Sequence, residues 1–126
     1  DHFKRFNDIH GHEAGDIALR ELGTFLLKNT RGDDIACRYG GEEFLLILPE
    51  APLEVVRHRA EELRVIVKDL LRIQWQGHVL AITASMGIAA FPRHGYHVKD
   101  VVKAADAALY QAKARGRDQV VVALYD

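Results

Sequence analysis

Adjacent glycines, Gly40-Gly41, separate two short strand candidates, Ile35–Tyr39 and Glu42–Leu48. Extended segments joined across a glycine pair form a β-hairpin, so any fold of this chain must accommodate a strand pair near residue 40. On either side the apolar spacing turns helical. Ala14, Ile17, Ala18, Leu22, Phe25 and Leu26 predict a helix over 13–29, with Glu13 and Asp16 in its first turn, where the helix dipole favours acid. Pro49 stops the second strand, and Pro52 opens a helix with the stripe Val55, Val56, Ala60, Leu63, Val67 and Leu70. Even positions from Leu80 to Ala90 share one face of a long strand predicted over 78–91. After a loop at Pro92–Gly95, Val98, Val101, Val102, Ala105, Leu109 and Ala112 mark a third long helix, capped by Gly116. Val120–Leu124 closes with a strand. This alternation predicts an α/β sandwich, one sheet covered by helices. The unalternating run Phe44–Leu48 predicts a strand covered on both faces, and Cys37 is expected in the core.

A chain of 126 residues fits one domain. At 48% hydrophobic and 28% charged it is neither a disordered tail nor a low-complexity linker. Its 17 basic and 18 acidic residues leave a net charge of -1, with no global field for gripping nucleic acid or an anionic membrane. Any polyanion must therefore be met by a few placed cations. One cysteine excludes an internal disulfide, and no apolar run reaches the roughly 18–20 residues that span a bilayer. The start, Asp1-His2-Phe3-Lys4-Arg5, has no apolar stretch of the signal-peptide kind. These features predict a cytoplasmic domain that contacts neither nucleic acid nor membrane.

Three clusters are candidates for chemistry. Gly40-Gly41-Glu42-Glu43 offers close backbone approach and two hard carboxylate ligands for Mg²⁺; the competing reading is a solvated hairpin tip. In a regular strand Glu42 and Glu43 would point to opposite faces, so one site can use both only if the turn is distorted. The stretch Phe3–Asp16 is rich in polar groups at a loop-to-helix junction. There Asp16 can accept from N1–H and the 2-amino group of guanine while Asn7 reaches another edge; ordinary capping and turn chemistry is the competing reading. Lys113, Arg115 and Arg117 around Gly116 suit either a helix C-terminus or a triphosphate, to which Arg38 can add a bidentate contact. His10 with His12, and His94 with His97, lack further ligands at zinc-site spacing.

Taken together, Asp1-x-Phe3-Lys4-x-x-Asn7-Asp8-x-x-Gly11-His12-x-x-Gly15-Asp16 and Arg38-Tyr39-Gly40-Gly41-Glu42-Glu43-Phe44 resemble the GGDEF family of diguanylate cyclases. The segments Ala84–Ala89 and Ala105–Arg117 are similar to that family in the same order, so the resemblance covers essentially the whole chain. It implies an α/β (α+β) fold like the palm of nucleotide cyclases and polymerases, a mainly antiparallel five-stranded sheet wrapped by helices. It also implies a reaction: two GTP molecules, one on each protomer of a homodimer, condense to cyclic di-GMP and two pyrophosphates, with Mg²⁺ or Mn²⁺ as cofactor.

The resemblance assigns roles residue by residue. Glu42 falls on the metal-binding carboxylate, and Glu43 on a second metal contact or the base for the attacking 3′-hydroxyl. Asn7 and Asp16 fall on guanine-reading positions with His12 nearby, Lys113 and Arg117 on phosphate contacts, and the backbone of His2 and Phe3 on the loop that cradles the β- and γ-phosphates. Arg31-x-x-Asp34, with five residues between Asp34 and Gly40, matches an inhibitory site for cyclic di-GMP, although Glu62 stands where some members carry a further arginine. Asp1 matches the second aspartate of the family's Asp-x-Asp, so residues 1–126 are expected to be a GGDEF domain lacking its N-terminal helix, first strand and first metal-ligating aspartate. An attached sensory or receiver domain is expected. The alternatives are a catalytically impaired receptor for cyclic di-GMP or GTP, and a structural dimerisation module.

Overall fold

The structure is a computed structural model and describes residues 1–124. Its elements are α1 (Phe3–His10), α2 (His12–Lys28), β1 (Ile35–Arg38), β2 (Phe44–Ile47), α3 (Leu53–Asp69), β3 (Arg72–Trp75), β4 (His78–Ala81), β5 (Met86–Ile88), α4 (Val98–Ala114) and β6 (Val120–Val122). They group into two compact units, one of residues 2–50 and 70–81, the other of Asp1, 51–69 and 82 onward.

The first unit holds α1, α2 and two hairpins. β1 and β2 pair antiparallel with Ile35 opposite Ile47 and Arg38 opposite Phe44, as the glycine pair predicts. β3 and β4 pair antiparallel across Gln76-Gly77, both with positive φ (46° and 79°), the conformation of a two-residue type I′ turn. α2 packs on β1 and β3 and contributes Ala14, Ala18, Leu19 and Leu26 to a core completed by Ile73.

Several expectations change here. Residues opposite each other in a ladder share a face, and Ile35, Cys37 and Ile47 lie on the face of the β1–β2 pair turned from Phe44, whose ring meets α2 at Gly23. All three are exposed, so Cys37 is a surface thiol and the run Phe44–Leu48 is not covered on both faces. The polar stretch after His2 is helix α1 rather than loop, and β3 was not predicted.

In the second unit β5 and β6 run parallel, Met86 opposite Val120 and Ile88 opposite Val122. α3 and α4 pack against them and bury Ala60, Leu63, Val67, Ala108 and Ala112 around Ile88. A Cβ on Gly87 would stand 2.1 Å from the Ala105 carbonyl oxygen and 2.4 Å from the Leu109 nitrogen, so only glycine lets α4 lie this close to β5. The strand expected over 78–91 is two strands. Between them Thr83 and Ser85 donate their hydroxyls to the Asp1 carboxylate at 2.8 and 2.6 Å. Val55 and Val98, at helix ends, stay exposed.

The class is mixed α/β with mainly antiparallel pairing, as expected. Among the described residues the six strands pair two by two, twice antiparallel and once parallel, rather than as one five-stranded sheet. No helix of the described residues is long and apolar enough to cross a membrane.

Candidate functional site

The hairpin tip is built by backbone closure. The amides of Tyr39 and Gly40 donate to the Glu43 carbonyl at 2.8 and 3.3 Å, extending the ladder by one step. Arg38, which the sequence offered as a phosphate contact, instead points its guanidinium at its own turn. It donates to the Gly40 carbonyl at 3.3 Å and, from two nitrogens, to the Gly41 carbonyl. Neither glycine has a positive φ, and a Cβ on Gly41 would meet nothing within 4 Å. The unit's own packing therefore does not require Gly41, which leaves bare backbone facing open space.

Glu42 and Glu43 both precede β2, in the turn, so strand alternation does not force them to opposite faces. Glu42 is exposed and Glu43 half-buried, its carboxylate 3.8 Å from where a Gly40 Cβ would sit. Two carboxylate groups without a third protein ligand suit a cation that takes the rest of its shell from phosphate oxygens and water. Among the described residues no group of three or more His, Cys, Asp or Glu is placed to hold a metal by itself.

The α1–α2 junction turns at Gly11, whose φ of 93° ends one helix and starts the next, with its amide on the Asn7 carbonyl at 2.7 Å. His2 precedes α1 in a left-handed conformation (φ 55°) and its side chain makes no cap bond, so the first amides of α1, from Phe3 on, are not capped by it and suit an anion. α1 crosses α2 at Gly15, where a Cβ would stand 1.7 Å from Asn7 Oδ1 and 3.1 Å from the Phe3 ring. The Asn7 oxygen is buried and accepts no hydrogen bond among the described residues. Asp16, next along α2, is exposed, as is His12 one turn earlier on the same helix face.

Arg31 and Asp34 share one turn. The Arg31 amide donates to Asp34 Oδ2 at 2.8 Å, and the Asp34 amide to the Arg31 carbonyl at 2.9 Å. Glu62 lies in the second unit, exposed on α3 and 3.0 Å from His58 Nδ1.

Also in the second unit, Lys113 sits half-buried in the last turn of α4, which ends as the sequence predicts. The Gly116 amide reaches the Lys113 carbonyl at 3.4 Å and the Arg117 amide the Ala112 carbonyl at 2.9 Å, the paired bonds of a Schellman cap. Three successive residues then have positive φ: Gly116 (110°), Arg117 (65°) and Asp118 (48°). For Arg117 and Asp118 that conformation costs about 1–2 kcal/mol each.

Asp118 is tied down from four sides. Its amide donates to Asp1 Oδ2 and to Ser85 Oγ, both at 3.1 Å, and its carboxylate accepts from Arg64 at 2.7 Å and Lys68 at 2.9 Å. Arg64 also reaches the Asp118 carbonyl at 3.3 Å and pairs with Glu61. Burial pushes the Asp118 carboxyl up, but the Lys68 and Arg64 hydrogen bonds outweigh it and hold it below its ordinary range. The Arg64 hydrogen bond likewise holds Glu61 down, and those to Glu61 and Asp118 raise Arg64 further above its already high range. Sequence reasoning missed this cluster. Its signal was the spacing of Glu61, Arg64 and Lys68, three charges on one side of a helix read only for its apolar stripe.

The structure thus gathers the hairpin and α1–α2 candidates into one unit, and Asp1, Lys113 and Arg117 into the other. The family described as "Diguanylate cyclase, GGDEF domain" matches residues 1–119. The response regulator PleD of Caulobacter vibrioides is 40% identical over 122 residues, 96% of this chain and 27% of PleD. Diguanylate cyclase DgcP of Pseudomonas aeruginosa is 44% identical over 124 residues, 98% of this chain and 18% of DgcP. The chain therefore spans a third or less of these relatives' lengths. The crystal structure of the GGDEF domain of DgcB from Caulobacter crescentus in complex with c-di-GMP superposes with a TM-score of 0.86 at 38% identity, covering 97% of this chain and 72% of that one. With the GGEEF hairpin, the α1–α2 junction and the Schellman-capped α4 all in place, this chain belongs to the GGDEF family of diguanylate cyclases.

Proposed function

We propose that residues 1–126 form the catalytic GGDEF domain of a diguanylate cyclase that condenses two GTP molecules into cyclic di-GMP and two pyrophosphates. The observation that carries this reading is the hairpin tip. Two carboxylates precede the regular strand, and a glycine that packing does not require leaves backbone open to a nucleotide. Asn7 and Asp16, with His12 nearby, read the guanine edge. The backbone at His2 and Phe3 is the proposed cradle for the β- and γ-phosphates, and Lys113 and Arg117 are proposed as phosphate contacts. Glu42 and Glu43 would hold the Mg²⁺ or Mn²⁺, which when bound offsets phosphate charge and makes the 3′-hydroxyl easier to ionise. Glu43 is also suited to take the 3′-hydroxyl proton as that oxygen attacks the α-phosphate of the partner's nucleotide. One GTP per protomer makes the homodimer the active species, brought together by a sensory or receiver domain in the longer protein.

Arg31 and Asp34, already joined in one turn, are the proposed product-inhibition site. Supplying the full-length protein with GTP and Mg²⁺ tests the proposal. Cyclic di-GMP and pyrophosphate should form, and Glu42→Gln should abolish both while GTP still binds. Arg31→Ala should relieve product inhibition and leave turnover in place. Cyclic di-GMP binding without any turnover would instead favour a receptor.

A further inference from the structure

The Arg64–Asp118 contact joins residues 54 apart in sequence and lies outside the groups assigned above to nucleotide or metal. Arg64 is only 15% exposed, and its guanidinium is divided between Glu61 on its own helix and the carboxylate and carbonyl of Asp118. What it grips is the end of the strained run that starts at Gly116. Arg117 has positive φ itself and is flanked on both sides by residues with positive φ, a backbone run that L-residues seldom adopt and that sets the direction from which its side chain starts. Left to itself a strained backbone relaxes; it persists only where its surroundings over-determine it. Here the surroundings are the Schellman bonds before Arg117, the Gln119 side-chain amide donating to the Arg115 and Arg117 carbonyls at 3.1 Å, and the contacts that hold Asp118 after it.

We propose that Arg64 is a positioning residue for the triphosphate: by clamping Asp118 it fixes the left-handed run 116–118, and so the place from which Arg117 meets the phosphates. This rests on the phosphate role given to Arg117 above. Lys68 adds a second cation on the same carboxylate, but it is half-exposed and single-pronged, whereas Arg64 holds both the side chain and the main chain of Asp118. Asp1 and Ser85 accept from the Asp118 amide, so they anchor its main chain, whereas Arg64 binds the carboxylate and the carbonyl.

The test is equilibrium binding of GTP and of GMP to the full-length protein in Mg²⁺, for Arg64→Gln, Arg117→Ala and the double variant. Arg117→Ala should weaken GTP binding about tenfold. Arg64→Gln should weaken it by a similar factor, the double variant should be no weaker than Arg117→Ala alone, and GMP, which lacks the β- and γ-phosphates, should bind all three nearly as well as the parent. Multiplying effects in the double variant, or equal loss of GMP binding, would overturn the inference, because a merely structural arginine would act independently of Arg117. Unchanged GTP binding by Arg117→Ala would be a different failure, that of the phosphate role itself. If Arg64→Gln does not fold, Asp118→Gly and Asp118→Asn replace it. Glycine suits the backbone but removes the clamp, so GTP binding should weaken. Asparagine keeps an acceptor for Arg64 and tolerates left-handed φ, so binding should be retained. Equal behaviour of those two variants would also overturn the inference.

Discussion

Replacing Gly15 by alanine should separate stability from nucleotide binding. The new Cβ would stand 1.7 Å from Asn7 Oδ1, 2.7 Å from Asn7 Cγ and 3.1 Å from the Phe3 ring. All three are side-chain atoms, and the nearest sits at the end of a rotatable arm. The Asn7 amide must retreat by about 1.7 Å to reach ordinary contact, which a χ rotation supplies without moving either helix. Three effects then compete. Alanine in place of glycine in a helix gains about 0.5–1 kcal/mol. Turning a buried, unpartnered acceptor out to water relieves part of a penalty of about 1–3 kcal/mol. Displaced packing of Asn7 and Phe3 costs on the order of 1–2 kcal/mol. The sum is close to zero or favourable, so the melting temperature should hold or rise by a few degrees. GTP binding should not hold. Loss of the guanine contact proposed for Asn7, one hydrogen bond of about 1–1.5 kcal/mol, would weaken binding roughly tenfold. Thermal unfolding and equilibrium GTP binding on the same preparation decide the matter. A stability loss above about 2 kcal/mol would show that Asn7 cannot yield. Unchanged GTP affinity would show that Asn7 does not read the base.

Gly87→Ala should behave in the opposite way. There the clashing atoms are helix backbone, so α4 itself must move off β5, at a cost of about 3 kcal/mol, and the melting temperature should fall by roughly 10 °C. The lowered carboxyls of Asp118 and Glu61 add stability that is complete above their ordinary values and is lost as pH falls below about 4. Urea unfolding from pH 7 to pH 3 should therefore show an acid limb that Arg64→Gln flattens by about 1 kcal/mol. Arg38→Ala removes the donor to the Gly40 and Gly41 carbonyls, a loss of about 0.5–1 kcal/mol at an exposed site, and amide exchange at Tyr39 should quicken about two- to five-fold. Unchanged exchange would mean the turn closes without it.

The parts of this fold that were legible in advance are those set by local chemistry. The glycine pair marked the β1–β2 hairpin, apolar spacing marked α2, α3 and α4 to within a residue or two, and Gly116 marked the end of α4. What escaped depends on distant partners. Helix α1 has no buried residue, and its stripe of Phe3, Phe6 and Ile9 runs for only eight residues, too short to stand out from a loop rich in polar groups; Asn7 and Phe3 meet Gly15 across Gly11. The alternation from Leu80 to Ala90 was real, yet the strand breaks where Thr83 and Ser85 turn to Asp1, over 80 residues away in sequence. Cys37 and Phe44–Leu48 looked buried because composition cannot tell a two-stranded pair with one open face from a central strand. Of the candidate site, the residue types and their neighbourhoods were legible. The redirection of Arg38 onto its own turn and the grip of Arg64 on Asp118 were not, since nothing local records where a guanidinium ends up.

Helix α1 carries a consequence for hydrogen exchange and binding rates. Eight residues with nothing buried fall below the length at which a helix holds together unaided in water, so α1 is maintained mainly by its crossing with α2. Its amides should be among the first to exchange with solvent, opening far more often than the Ala108–Ala112 stretch of α4. A nucleotide that docks on such a segment spends part of its interaction energy on ordering it, and so binds with modest affinity and leaves quickly. Rapid exchange of nucleotide at the proposed site, rather than tight retention, is the behaviour this short helix favours.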